Sequence, residues 1–334
     1  MNPAPRPLRA LVTGGGGFLG RRIVEMLLAR GDEVRSFSRG TYPDLAAAGV
    51  ECVAGDLADA GAVAKACSGR DIVFHVASKA GVWGRHDDYY RPNVLGTQHV
   101  IAGCRTHGVP RLVYTSSPSV IFDGSDMEGV AESVPYPRHY TAHYPATKAA
   151  AERLVLAANG PALATISLRP HLIWGPRDNH LVPRIIARAS SLRRIGNINK
   201  PVDCTYIDNA AEAHLLACDR LHPGASVAGR AYFISQGDPR GVWDLVDDIL
   251  AAAGRPKVSR SIPRPLAVAV AAGIETAYRL LNIVREPRLT RFLIEELTTA
   301  HWFDISAARR ELGYDPSVSI EQGLERLRAW FQQV

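Results

Sequence analysis

The eight residues Thr13-Gly14-Gly15-Gly16-Gly17-Phe18-Leu19-Gly20 follow an apolar run, Leu8 to Thr13, and lead into an amphipathic stretch from Leu19 to Arg30. Five glycines packed so closely cost backbone entropy and bury no side chain. A strand that turns sharply into a helix is one place where that cost is recovered. Gly14 and Gly17 let the backbone turn and come close to a bound anion, and the free amides of the helix start attract its charge. Gly20 lets helix and strand pack tightly, while Phe18 and Leu19 begin the helix beside the loop. This is the setting that a dinucleotide fingerprint requires. Gly31 ends the helix at its C′ position.

The alternation continues beyond the loop. Strands are expected at Glu33 to Ser38, Val50 to Ala54, Asp71 to Val76, Arg111 to Ser116 and Ala164 to Leu168. Helices are expected at Asp59 to Cys67, Asp88 to His107 and Tyr144 to Ala158, the last with Pro145 in its first turn. Continuous apolar runs such as Ile72-Val73-Phe74 mark strands buried on both faces. The expected fold is α/β: a Rossmann-type doubly wound parallel sheet over residues 1–174, with a smaller, mostly helical C-terminal substrate lobe over 175–334. Residues of about 205–220 return to the first domain as a helix, and a chain of 334 residues is long enough for two such lobes.

Composition removes several alternatives. The net charge of +6 is spread along the chain in short clusters such as Arg193-Arg194, which argues against nucleic-acid binding and leaves attraction to an anionic cofactor or lipid surface. Five cysteines without a Cys-x-x-Cys spacing read as reduced thiols of a cytoplasmic protein, free or peripheral to a membrane. The start, Met1 to Pro7, is rich in proline and lacks the apolar core of a secretory signal. No apolar run is long enough to span a bilayer. His139, His143 and His171 have no metal-ligand spacing, and no metal is expected.

Tyr144 and Lys148 stand four residues apart, which puts phenol and ammonium on one helix face. With eleven tyrosines and only five lysines in the chain, that pairing is unlikely to be chance. The strand ending in Ser116-Ser117 offers a third hydroxyl. The second strand closes with Ser36-Phe37-Ser38-Arg39 instead of a carboxylate. Ser38 and Arg39 can hold a 2′-phosphate, which favours NADP(H); if Arg39 only stacks on adenine, NAD(H) serves. Asp56-Leu57 is placed to cover the adenine, with helix or turn capping as the other use of Asp56. Ala77-Ser78-Lys79 leaves the fourth strand where parallel sheets bind ligands. From Pro265 to Val284 the stripe Leu266, Val270, Ile274, Tyr278 and Leu281 marks an amphipathic helix, which packs on its own domain, lines an apolar pocket or faces a membrane.

Together these motifs resemble the extended branch of the short-chain dehydrogenase/reductase superfamily, and within it the 3β-hydroxysteroid dehydrogenase group. The likeness covers nearly the whole chain. Tyr114 to Gly124 resembles the sterol-4-carboxylate 3-dehydrogenases, while Lys79 to Gly84 and Glu286 to Phe292 resemble the bacterial 2-alkyl-3-oxoalkanoate reductases. The resemblance implies Tyr144 as general acid/base, with Lys148 lowering its pKa and holding the nicotinamide ribose. It implies Ser117 as the holder of the substrate oxygen, with Ser116 as the neighbouring alternative. Pro170 would border the carboxamide, and Asn93 would kink its helix to position the site. Two departures stand out: the absent second-strand carboxylate, and Gly196-Asn197-Ile198 where a Gly-x-Gly loop is usual.

The expected function is interconversion of a 3-hydroxy and a 3-oxo group on a hydrophobic lipid or sterol by hydride transfer, in a chain able to form a homodimer through the Tyr144 helix. A nucleotide-sugar epimerase or dehydratase would use the same residues but needs a basic, polar second lobe for its diphosphate. A non-catalytic dinucleotide sensor would not need the Tyr-Lys pair. If Arg39 meets a 2′-phosphate, Arg39→Ala should weaken NADPH by roughly 10- to 100-fold and NADH far less, measured by fluorescence titration.

Overall fold

The computed structural model describes residues 6–333. The first five residues of the proline-rich start lie outside them. Seven parallel strands form one sheet: β1 (Arg9–Thr13), β2 (Glu33–Ser38), β3 (Glu51–Ala54), β4 (Ile72–His75), β5 (Arg111–Thr115), β6 (Ala164–Pro170) and β7 (Arg230–Ile234). Their order is β7-β6-β5-β4-β1-β2-β3. The chain builds outward from β1 to β3 and then returns to lay β4 on the other side of β1. The sheet therefore opens a crevice beyond the C-terminal ends of β1 and β4, where the strand order reverses.

Strand periodicity explains the continuous apolar runs. Ala10, Val12, Ile72 and Phe74 face helices α1 (Phe18–Ala29) and α5 (Ile207–Arg220), whereas Leu11 and Val73 face α2 (Ala60–Cys67), α3 (Gly96–Thr106) and α4 (His143–Ala157). Alternate side chains fill two different cores, so the interior positions of these strands are apolar, and the polar Thr13 and His75 stand at their C-terminal ends. The expected elements of the first domain begin and end within two residues of their sequence limits, whereas the helix expected from Pro265 to Val284 ends four residues earlier, at Leu280. Asp59 caps α2 through the Ala62 amide. Gly31, with φ 86°, follows α1 as expected. The helix expected from Asp88 begins at His86 and carries a π turn at Arg91–Leu95, which sequence periodicity does not reveal. The seventh strand comes from the C-terminal half, and a four-stranded sheet including Met127–Val130 and His301–Phe303 accompanies the later helices.

The helix α6 (Arg264–Leu280) forms, but it turns a different face inward from the expected one. Leu266, Val270 and Leu281 are 53%, 41% and 70% exposed, while Ala267, Ala271 and Glu275 are buried. The small alanines let α6 approach α7 (Arg291–Thr298), and Glu275 accepts the Arg291 amide at 2.7 Å and its Nε at 2.9 Å. A carboxylate tied to a neighbouring helix is buried more readily than a row of leucines with nothing to pack against.

The deepest polar bond ties α4 to β6. Glu152 is fully buried and accepts Arg169 Nη2 at 2.7 Å, Tyr136 Oη at 2.6 Å and Ser167 Oγ at 2.8 Å. Burial pushes the Glu152 carboxyl up, but the bonds from Arg169 outweigh it and hold it below its usual value. Removing one partner of such a pair leaves a bare charge in the core. Arg169→Met should destabilise the protein by about 3–5 kcal/mol in urea unfolding, and the double variant Glu152→Met/Arg169→Met should recover much of the loss.

Candidate active site

Tyr144 enters at the first turn of α4, whose start is shaped by Pro145. One turn on, Lys148 is buried, with its Nζ donating to the Thr115 carbonyl at 2.6 Å and lying 4.2 Å over the Tyr114 ring. Burial pushes the Lys148 ammonium down to about 7, against the nearby charge of Glu152. Burial likewise pushes the Tyr144 phenol up to about 12; a hydrogen bond with Ser117 pulls it down and the Glu296 charge pushes it further up. Ser117 caps the short turn Pro118–Ile121, and its hydroxyl oxygen accepts from Ser119 N at 3.2 Å and Ser119 Oγ at 3.0 Å. Ser116 is buried behind it, with no hydrogen-bond partner for its hydroxyl among the described residues. The structure thus groups Ser117, Tyr144 and Lys148 at the C-terminal end of β5. A phenol pushed up and an ammonium pushed down need an added positive charge to favour the phenolate, and an oxidised nicotinamide is one.

The glycine loop has the shape expected of a phosphate cradle. Gly14 has φ 72°, and a Cβ there would lie 2.9 Å from the Ala77 Cα. A Cβ on Gly20 would collide with the Gly14 carbonyl oxygen. Gly17 is the N-cap of α1 and supplies no side-chain cap, so the first-turn amides remain available to an anion. Phe18 and Leu19 open the helix. These features fit a dinucleotide pyrophosphate. Ser38 Oγ accepts the Gly16 amide at 3.4 Å, and Arg39 is exposed at the end of β2. Leu57 is buried against Gly96, while the exposed Asp56 accepts the Ala58 amide at 2.9 Å in a turn of its own. Asp56 therefore caps a turn here, the second of the two uses read from sequence.

Ala77 and Lys79 border the same crevice. The Ala77 amide donates to Thr13 Oγ1 at 3.2 Å. Asn93, inside the π turn, accepts the Lys79 amide at 2.7 Å, and its own amide donates to the Lys79 carbonyl at 3.1 Å and to Thr147 at 3.1 Å. The extra residue of the π turn aims this side chain across the crevice. Beneath it, His75 bridges Thr13 at 2.8 Å and Thr97 at 2.9 Å, and burial pushes it down to about 3, so it is neutral. Pro170 closes β6, and His171 hydrogen-bonds the Asp203 carbonyl at 2.6 Å. His139 and His143 are exposed, and no metal-binding group occurs among the described residues.

At His143, the residue before Tyr144, opens a cavity of about 760 Å³, lined by Val82, Trp83, Tyr140, Tyr278, Ile283 and Phe292 together with polar and charged residues. Of the expected stripe, only Tyr278 reaches it. Arg279 and Arg291 also border it, but both are drawn to Glu275, at 3.6 and 2.9 Å. Sequence reading missed Glu152 and Arg169, the His75 bridge, and Glu296. Glu152 had a signal, four residues after Lys148; Glu296 had none.

The model of the 3-beta hydroxysteroid dehydrogenase/isomerase family matches residues 11–264. A 2-alkyl-3-oxoalkanoate reductase of Stenotrophomonas maltophilia is 52% identical over 96% of this chain and 99% of its own. Its counterpart in Shewanella oneidensis is 48% identical over 98% of this chain and 87% of its own. A UDP-glucose 4-epimerase of Thermus thermophilus, solved with NAD, superposes with a TM-score of 0.73 at 26% identity, over 97% of this chain and 99% of that one. Tyr144→Phe should lower kcat by about 100-fold or more with the fold intact, and Lys148→Met should also weaken cofactor binding; steady-state kinetics and melting curves check both.

Proposed function

The chain belongs to the 3-beta hydroxysteroid dehydrogenase/isomerase family, and from that premise we propose that it is a 2-alkyl-3-oxoalkanoate reductase that prefers NADP(H). It is an oxidoreductase interconverting a 3-hydroxy and a 3-oxo group on a lipid. One observation carries the choice of substrate: at the start of α4, where Tyr144 stands, opens a cavity to which Val82, Trp83, Tyr140, Tyr278, Ile283 and Phe292 give an apolar share of the wall beside polar residues. Of the arginines that line it, Arg279 and Arg291 are engaged by Glu275, and Arg85 by Asp88 at 3.1 Å. A nucleotide-sugar diphosphate needs free cations there, which disfavours the epimerase.

In this reading the bound nicotinamide supplies or receives the hydride. The protein's part is to hold the 3-oxo oxygen with Ser117, to deliver a proton to it from the Tyr144 phenol, and to keep the Lys148 charge beneath the site. The glycine loop holds the pyrophosphate, Leu57 and Asp56 border the adenine, and Ala77, Lys79 and Pro170 frame the nicotinamide side. Residues 175–334 serve mainly as the substrate lobe. Arg39, at the end of a strand that lacks a carboxylate, favours the 2′-phosphate of NADP(H).

The outward face of α6 has a place in this scheme. Leu266, Val270, Leu280, Leu281 and Val284 are exposed on one side of the cavity mouth, in a chain of net charge +6. We assign this face to peripheral contact with an anionic lipid surface. No helix among the described residues is long and apolar enough to cross a membrane. A homodimer would use α3 and α4, between which Ile101, Ala102 and Leu154 line a shallow groove.

The test is a turnover screen of NADPH and NADH against 2-alkyl-3-oxo acids, 3β-hydroxysterols and UDP-sugars. For the 3-oxo acids, kcat/KM should climb about fourfold per added CH₂, from about 0.8 kcal/mol of burial each, until the cavity is full. Ile283→Ser should flatten that climb and leave NADPH affinity unchanged. A flat dependence together with turnover of UDP-sugars would favour the epimerase instead.

A further inference from the structure

Basic residues occur along the whole chain, but outside one segment acids balance them. Residues 255–291 hold eight arginines and lysines against two glutamates, which is the entire net charge of +6; the remaining residues carry 31 basic and 31 acidic side chains. All eight cations are exposed. Glu275 is buried, and Glu286 is half-buried and bonded to Arg184 at 3.0 Å, so the exposed surface of the segment bears no acid. Among the described residues, Arg255, Lys257, Arg260, Arg285 and Arg288 make no side-chain hydrogen bond or ion pair, and none of them lines the cavity.

The helix α6 occupies the middle of this segment. Its outward positions Leu266, Ala269, Val270, Gly273, Ala277 and Leu280 recur at the three- and four-residue spacing of one helix face, and none is charged. Leu281 and Val284 extend the face past the last turn. Five of the six large hydrophobic side chains exposed among the described residues lie here. Three of the unpaired cations precede the helix and two follow it. An apolar strip bracketed by cations complements a surface that has anions outside and hydrocarbon beneath, since arginine and lysine meet the phosphates while leucine and valine enter the acyl layer. A second copy set face to face would bring eight cations against eight, so charge opposes self-pairing.

The same surface runs into the cavity. Arg279, Asn282 and Val284 are exposed and also line it. Across the rim, Trp83 is fixed to this segment: its Nε1 donates to the Ile283 carbonyl at 2.9 Å, and its ring stands edge-on to Tyr278 with centres 5.9 Å apart. We propose that residues 255–291 dock on an anionic bilayer with α6 lying along it, so that the cavity opens onto lipid and the hydrophobic substrate enters from the membrane without crossing water. The inference rests on the function proposed above and extends its lipid contact to the route of the substrate. Each CH₂ that avoids water on that route avoids a partitioning penalty of about fourfold. No covalent step is added to the reaction.

The full-length enzyme is first sedimented, without substrate, with vesicles of phosphatidylcholine alone and of phosphatidylcholine containing about one-third phosphatidylglycerol. Binding should require the anionic lipid and should be lost in about 1 M salt, where the screening length is about 3 Å. Arg285→Gln/Arg288→Gln should weaken it about 25-fold, roughly fivefold per charge. Leu280→Ser/Leu281→Ser should weaken it about 10-fold or more. Turnover with NADP⁺ is then measured for a long-chain 2-alkyl-3-hydroxy acid carried in the vesicles and for a short, water-soluble homologue. At limiting vesicle concentration, kcat/KM for the long acid should fall in each double variant by the same factor as vesicle affinity, while the short acid is oxidised equally by all three proteins. Absent binding, or equal binding to both kinds of vesicle, overturns the docking. Bound enzyme that oxidises the long acid no faster than free enzyme overturns the substrate route. An oligomer seen by light scattering without lipid, and dispersed by Leu280→Ser/Leu281→Ser, gives the face to a second copy and overturns the proposal. Turnover of UDP-sugars in place of both acids sinks the functional reading and the substrate route together, while the vesicles still decide the docking.

Discussion

Burying one ammonium group organises this protein. Lys148 is 2% exposed, and removing its charge from water is costly unless partners are supplied. The Thr115 carbonyl at the end of β5, the face of Tyr114 and the carboxylate of Glu152 supply them. The contacts with Thr115 and Tyr114 require α4 to lie against β5 in one register, while Glu152 stands one turn further along α4 itself. Glu152 in turn is neutralised by Arg169 on β6, whose next residue, Pro170, ends that strand. Burying the lysine one turn from the phenol therefore also fixes the helix that carries Tyr144 and the strand β6 beside it.

The other wall of the crevice depends on a different economy. The loop after β1 and the loop after β4 approach so closely that Gly14 has no room for a Cβ against Ala77. Thr13, His75, Thr97 and Asn93 then join the two strand ends to the π turn through short hydrogen bonds. A neutral histidine suits this position, since it can donate at one nitrogen and accept at the other without bringing a second charge near Lys148. One wall is set by an ion and its partners, the other by backbone contact. The site lies between them because the strand order reverses there.

Where the expected and observed pictures part, the reason is packing. The stripe of α6 is a sound amphipathic pattern, yet the helix buries Ala267, Ala271 and Glu275 instead. Small side chains allow two helices to approach, and Glu275 finds two bonds on Arg291 that its sequence position does not disclose. The π turn at Asn93 is equally silent in sequence, since one inserted residue leaves the apolar period nearly unchanged.

By itself the sequence determined whatever depends on local order. The glycine loop between a strand and a helix, the runs with apolar residues at every position, and the four-residue spacing of Tyr144 and Lys148 specify a doubly wound sheet and a Tyr-Lys pair because these are short-range geometric requirements. The tertiary structure decided what depends on residues distant in the chain. It brought Arg169 to Glu152 and Asn93 to Lys79, each across an interval that no periodicity spans. It also decided which face of α6 meets protein and which is left exposed. That choice belongs to the neighbouring helix, because burial is settled between surfaces and a sequence pattern describes only one of them.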